Sequence, residues 1–586
     1  MILTALTCLT PSWFIKTLPA HSSRAVIKVM VSSILTSLFL GFAFLTLSGV
    51  NAVVPPPRPS VPKIEALDAP VTSRNGTTLP PYTTVYEFDQ VIDHDNPSLG
   101  TFKQRFWFTY EFYEPGGPII LFTPGEVSGD GYSGYLTNRT INGQIAQQQN
   151  GSAIVLEHRF FGLSNPKPDL TVASLRLLTI QQAIDDLEYF ANNVHLPMPG
   201  GDSVPPGKAE WILVGGSYSG ALTSWAMVNK PGLFKAGYAS SAVVETILDY
   251  WGYFEPIRQN MPKNCSADVE AVISHIDQVL MGTDKNAITN LLTQFGMQAL
   301  SNHLDDAAGA LRNNLWDWQS LSPSTGTEGA FFKFCDALEV KNGKSASASG
   351  WGLDHALSAW ATYWKNTYMP QLCGKNDVVD CLGSYDATQD YYTNTTVNNS
   401  NRSWFWMVCN EVGFLQESAP TGHPTLVSRL IQPIYDERQC QFMFPAAFSK
   451  PPTIDVEVTN IKYKGWDVSI DRLFFANGVR DPWREATVSA DGVNVPSTSQ
   501  QPIAVSDGFH CSDLSTANAN VDSTVKAVQV QALQFMKSWI TPTTSSSPSA
   551  PQYHYFKRDP NPIVHTQAME EDVEPLRGIR WLKDTL

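Results

Sequence analysis

The stretch "WILVGGSYSGAL", residues 211–222, puts a serine on a corner. Mostly apolar residues run into Gly215 and Gly216, then Ser217, Tyr218 and a small-residue helical pattern. A sharp strand-to-helix turn of this kind lifts one hydroxyl clear of the backbone. It needs small neighbours, because segments approach without room for Cβ atoms. Gly215 meets that need, but Ser219 stands where G-x-S-x-G has its second glycine. Alone, the segment fits an ordinary glycine-rich corner as well as it fits nucleophilic catalysis.

A serine hydroxyl becomes a useful nucleophile when an imidazole takes its proton and a carboxylate fixes the imidazole's tautomer. In doubly wound hydrolases those partners leave later strand ends, in the order serine, acid, histidine. Here "RLFFANG" is followed by "VRDPW", which places Asp481 at a strand exit. "PIAVSDG" is followed by "FHCSDL", which places His510 at the next. The later His554 and His565 lie beyond a Ser/Thr/Pro linker. Asp481 could instead cap the turn before Pro482, and His510 could be a core histidine. Asp507 and Asp513 are rival acids, but both sit too close to His510 for a separate strand exit. The order of types therefore points to acyl transfer by Ser217, Asp481 and His510. The general hydrolase layout makes the Tyr218 N–H one oxyanion donor and places a second near Gly125 and Glu126, after "PIILFTPGE". Glu126 could equally form a salt bridge or hold a substrate terminus.

Such a site needs a rigid sheet, and the chain supplies the grammar for one. "PIILF", "SAIVL", "WILVGG" and "AGYAS" read as buried strands, the second with an exposed exit. Between them "TIQQAIDDLEYFANNV" has helical spacing, with Ile184, Leu187 and Phe190 near one face. Alternating strands and helices imply an α/β fold with a doubly wound, mostly parallel sheet. The alternation stops near residue 250, where helices such as "ADVEAVISHIDQVL" and aromatic clusters such as "WFWMVC" mark an inserted helical cap. The organisation expected is a core over 82–249, the cap over 250–430, the rest of the core over 431–540, and a linker and tail over 541–586.

With 586 residues, 43% hydrophobic and 16% charged, the chain reads as globular, and a net charge of −15 argues against a nucleic-acid partner. Residues 1–52 read as a signal peptide, starting at Met1 or Met30, with Val50 and Ala52 before the cleavage point; a retained membrane anchor is the alternative. The Pro-rich segment 53–81, "VVPPPRPSVP" onward, reads as the start of a mature chain or propeptide. Acceptor sequons at Asn75, Asn138, Asn150, Asn264, Asn394, Asn398 and Asn401 agree with export, after which no stable membrane association is expected. One of the eight cysteines lies in the leader, so an odd number remains, with Cys511 the candidate free thiol; none forms a zinc-ligand set.

"GGSYSGAL", "NGVRDPW" and "GFHCSDL" resemble the three active-site segments of the S28 serine peptidases. "FDQVIDHDNPSLGTFKQRFWF", "TPGEVSGDGYSGYLTN", "VLEHRFFGLSNP" and "WFWMVCNEVGF" extend the likeness from about Val85 to Ile540. Several of these forms look closest to the fungal acid prolyl endopeptidases, a subgroup that tolerates serine at position 219. The resemblance implies an α/β-hydrolase core with a helical cap. It also implies cleavage after proline in peptides or proteins, in an acidic extracellular or vacuolar compartment, without metal or cofactor. It makes Ser217 the nucleophile, Asp481 the orienting acid and His510 the base. Together with chain neighbourhood it implies disulfides Cys265–Cys335, Cys373–Cys381 and Cys409–Cys440. A flat proline ring calls for an aromatic slot, for which Trp404 and Trp406 are candidates. Exopeptidase action of the same family, and esterase or lipase action on the same scaffold, are the alternatives. Burial should lower the pKa of His510 and a charged Asp481 should raise it.

Overall fold

The computed structural model describes residues 55–540, so the expected leader and tail lie outside the described residues. Eight strands form one sheet: β1 (Val85–Val91), β2 (Thr101–Thr109), β3 (Ile119–Phe122), β4 (Ser152–Leu156), β5 (Trp211–Gly216), β6 (Ala236–Ser240), β7 (Leu473–Gly478) and β8 (Ile503–Ser506). Across the sheet they run β1-β2-β4-β3-β5-β6-β7-β8. From β4 to β8 every pairing is parallel, and β2 alone opposes its neighbours.

Burial on both faces explains the unbroken apolar strands. Ile119 and Leu121 point into one apolar layer, and Ile120 and Phe122 into the other. Helices cover each side. α1 (Ile141–Gln149) packs Ile141 and Ile145 into the second layer. α2 (Ile180–Asn193) and α3 (Tyr218–Asn229) press Ile184, Leu187, Phe190, Leu222 and Trp225 into the first. Thr140 and Thr179 start α1 and α2 by accepting the N–H of Gly143 and Gln182. This is an α/β-hydrolase core.

Between β6 and β7 lies the helical insertion. It contains α4 (Lys263–Leu280), α5 (Lys285–Phe295), α6 (Ala330–Glu339), α7 (Leu353–Tyr363), α8 (Ser400–Met407) and α9 (Pro433–Met443). Disulfides join Cys265 to Cys335, Cys373 to Cys381 and Cys409 to Cys440, while Cys511 is free and buried. Because Cys440 lies in α9, a boundary at residue 430 divides helices that a disulfide holds together. A short parallel pair, Ile247–Asp249 with Gly413–Leu415, fastens the insertion beside the core. The last helix among the described residues, α10 (Ser523–Ile540), returns to the sheet and buries Val528, Ala532 and Met536 in the second layer.

Candidate active site

At the end of β5 the chain turns sharply into α3. Ser217 holds φ 61° and ψ −127°, a conformation that costs a non-glycine residue energy and marks a strained corner. Its N–H donates to the Ser240 carbonyl at 2.7 Å, tying the corner to β6. The turn needs glycine at 215, since a Cβ there would lie 2.0 Å from the Ser219 carbonyl oxygen. Ser219 is accommodated because its Oγ accepts from the Gly216 N–H (3.0 Å) and donates to the Gly216 carbonyl (2.8 Å).

The exits of β7 and β8 meet this corner. A Cβ on Gly478 would stand 2.4 Å from the Gly508 carbonyl, so the glycine lets the two loops touch. The Arg480 N–H donates to that carbonyl at 3.0 Å. As a result His510 Nε2 lies 2.6 Å from Ser217 Oγ, and its Nδ1 lies 2.8 Å from Asp481 Oδ1. Asp481 Oδ1 also accepts the Trp483 N–H at 2.8 Å, which fixes the carboxylate's orientation. All three side chains are buried. The rival acids are engaged elsewhere. Asp513 accepts from the Tyr238 hydroxyl (2.6 Å) and Ser240 Oγ (2.8 Å), and Asp507 is exposed.

The family model for serine carboxypeptidase S28 matches residues 90–531. The chain belongs to the S28 serine peptidases. A serine protease of Bipolaris victoriae is 35% identical to this S28 peptidase over 77% of the chain and 88% of its own length. A probable extracellular serine carboxypeptidase of Arthroderma benhamiae is 32% identical over 75% and 64%. The solved proline iminopeptidase of Mycobacterium smegmatis aligns over 78% of the chain and 99% of its own, with TM-score 0.31 and 12% identity.

Electrostatically, the candidate site is set by opposed effects on His510. Burial, the largest single effect, pulls its pKa down, but the Asp481 carboxylate and the neighbouring Cys511 together hold the imidazole well above its ordinary value. Glu126 is fully buried, and neither of its carboxyl oxygens has a hydrogen-bond partner among the described residues. Burial pushes it up to about 8, against the pull of the Arg58 and His510 charges. Of the positions expected near the oxyanion, the Tyr218 N–H donates to the carbonyl of Pro59 at 3.0 Å. The Gly125 N–H turns back to Thr123 Oγ1 at 3.3 Å, within its own loop.

Beside the serine corner lies a cleft lined by Trp404, Phe405, Phe414, Leu415 and Trp483, with Asn401 at its edge. Trp406 does not line it. It packs against Phe444 with ring centres 5.2 Å apart, because residues two apart on α8 face opposite ways. None of the seven sequon asparagines is buried.

Several residues of the candidate site carry no sequence signal of their own. Gln319 of the cap accepts from Trp483 Nε1 at 2.7 Å, and Trp318 Nε1 donates to the Arg480 carbonyl at 2.8 Å. His158, in the quoted "VLEHRFFG", faces the Tyr218 hydroxyl with Nε2 at 3.1 Å. Its Nδ1 faces the Arg159 carbonyl at 2.8 Å, so Nε2 accepts, and burial lowers its pKa to about 4. The exit of β4, expected to be exposed, is buried. Glu157 there pairs with Arg105 and Arg159 with Asp186, and charges can be buried when paired this way.

Proposed function

We propose that this is a secreted peptidase that hydrolyses bonds on the carboxyl side of proline by acyl transfer through Ser217. The observation that carries this reading is His510 lying within hydrogen-bond reach of both Ser217 Oγ and Asp481 Oδ1. Ser217 Oγ adds to the prolyl carbonyl while His510 Nε2 takes its proton. The Asp481 carboxylate holds the Nδ1 proton and stabilises the imidazolium. His510 then returns the proton to the leaving nitrogen, and water, deprotonated by the same imidazole, releases the acyl group.

The Tyr218 N–H is the donor for the tetrahedral oxyanion, an interaction that typically contributes about 3 kcal/mol. Support for proline comes from two sides. The cleft offers flat aromatic faces at Trp404 and Trp483. The carbonyl that already rests on the Tyr218 N–H belongs to a proline, Pro59. Export is supported by the leader and sequons and by the extracellular relative. An acid optimum does not follow from this site, since Asp481 and Cys511 together raise His510 above its ordinary value.

The test is a long proline-containing peptide blocked at both ends, digested by the full chain and mapped by mass spectrometry. Cuts after proline that fall by about 10⁴-fold or more in Ser217→Ala are expected. An intact blocked peptide beside cleavage of its unblocked twin would assign exopeptidase action. Turnover of a long-chain ester alone would assign an esterase.

A further inference from the structure

The Pro-rich segment is tied into the site by hydrogen bonds. Between Pro57 and Ile64 six of its carbonyls, those of Pro57, Arg58, Pro59, Val61, Pro62 and Ile64, accept from donors of the site and its walls. Gln416 Nε2 donates to Pro57 O at 3.2 Å, and Gln319 Nε2 to Arg58 O at 2.6 Å. The Tyr218 N–H donates to Pro59 O at 3.0 Å. Beyond the serine, the Tyr132 and Tyr135 hydroxyls donate to Val61 O (3.4 Å) and Pro62 O (2.8 Å), and the Gly134 N–H to Ile64 O (2.9 Å). Prolines bring acceptors and no N–H, so walls made of donors suit a proline-rich strand.

Side chains follow the same logic. Pro59 is buried at the serine corner, and Val61 packs against Gly216 and Leu514. The half-buried Arg58 lies beside Glu126 and donates from Nη1 to its carbonyl at 2.8 Å. Pro55, Pro56 and Pro57 line the aromatic cleft with Trp404 and Trp483. A mere packing contact would not require the N–H that follows the nucleophile, which acyl transfer uses for the carbonyl under attack.

We propose that residues 55–65 are a built-in substrate that blocks the site, and that the Pro59–Ser60 bond is the first bond this peptidase cuts. The inference rests on the serine-peptidase reading above. Ser217 Oγ would bond to the Pro59 carbonyl carbon as its proton passes to His510 Nε2. The bond to the Ser60 nitrogen then breaks, that nitrogen takes the proton from His510, and water hydrolyses the ester to leave a Pro59 carboxylate and free Ser217. In the structure the Ser60 N–H donates to the Arg58 carbonyl at 2.8 Å, closing a tight turn on Pro59. Peptidases hold good substrates extended, so the turned pose makes the cut slow and lets the blocked form persist. After the cut, Gln319 and Gln416 lose their acceptors on the departing side, while Val61–Ile64 stay gripped by Tyr132, Tyr135 and Gly134.

The experiment follows the secreted full chain, wild type and Ser217→Ala, by intact mass and N-terminal sequencing, with turnover of the blocked proline peptide read in the same samples. Wild type is expected to acquire a Ser60 N-terminus, with turnover rising tenfold or more in step. Ser217→Ala should keep the bond, and Pro59→Ala should slow the new terminus at least tenfold. Full turnover with the Pro59–Ser60 bond intact would overturn this inference and leave the peptidase reading standing. A Ser60 terminus in Ser217→Ala would overturn self-cleavage by assigning the cut to another protease. To test the reading itself, residues 55–59 are replaced by the site of an unrelated protease and cut. Absence of peptide turnover by that protein would overturn the peptidase reading and this inference with it.

Discussion

The carboxylate of Asp481 orients His510 and, with Cys511, raises its proton affinity. A base must be unprotonated to act, and this imidazole is held above its usual value by Asp481 and Cys511 together, against the effect of burial. Activity should therefore fall about tenfold per pH unit on an acid limb that lies above the ordinary histidine value of ~6.5. A pH–rate profile of kcat/KM measures it, and a flat profile down to pH 3 would contradict it. Asp481→Asn should shift that limb to lower pH and cut kcat by about 10⁴-fold. At this scale the sequence was legible where residue type and strand exit both spoke, as for Ser217, Asp481 and His510. It was silent on Gln319 and Gln416. A glutamine is at home on any surface, and only the folding of the cap brings these two amides to the cleft.

Loops after β7 and β8 depend on each other through a glycine. Gly478→Ala would push a methyl against the Gly508 carbonyl, 2.4 Å from where its Cβ must stand, and part Asp481 from His510. The expected result is a loss of kcat of at least tenfold with KM little changed, and a far-ultraviolet circular dichroism spectrum like wild type. An unaltered kcat would show that the loops can separate without harm. Parallel strands and their helices were readable because burial on both faces makes continuous apolar runs. The β1–β2 pair was not read as strand. β1 is the sheet's edge, and its alternation of outward Glu87 and Asp89 with inward Tyr86 and Phe88 is broken by exposed Val85 and buried Gln90. α8 shows another limit: its aromatic run was evident, but only the helical turn separates Trp404, in the cleft, from Trp406, in the core.

Taken as one body, the protein buries carboxyl groups whose pKa burial raises. Glu126 is raised to about 8, Glu411 to about 7 and Asp513 to about 6, and Glu417 and Glu485 are also raised. For a raised carboxyl, the folded state holds a proton that the unfolded chain has released. Its contribution is complete below about pH 4.5 and is lost as pH rises towards the folded value. His510, also raised, shares that sign. His158, lowered to about 4, opposes it between roughly pH 4 and 6.5, because the unfolded chain takes up the proton there. The carboxyls outnumber it. The melting temperature should be higher at pH 5 than at pH 8, by roughly 5 °C or more, in thermal scans at constant ionic strength. An equal or lower value at pH 5 would refute this sum.

The cap reaches into the machinery with two neighbouring residues. Trp318 holds the backbone at Arg480, and Gln319 holds the indole of Trp483, so the stretch carrying Asp481 is pinned on both sides from outside the sheet. Whittling the molecule down to its hydrolase core, as an engineer seeking a wider mouth would be tempted to do, removes the pins along with the roof. Breadth of substrate has to be sought in the rings that face the cleft, because the ceiling is also the scaffold of the acid.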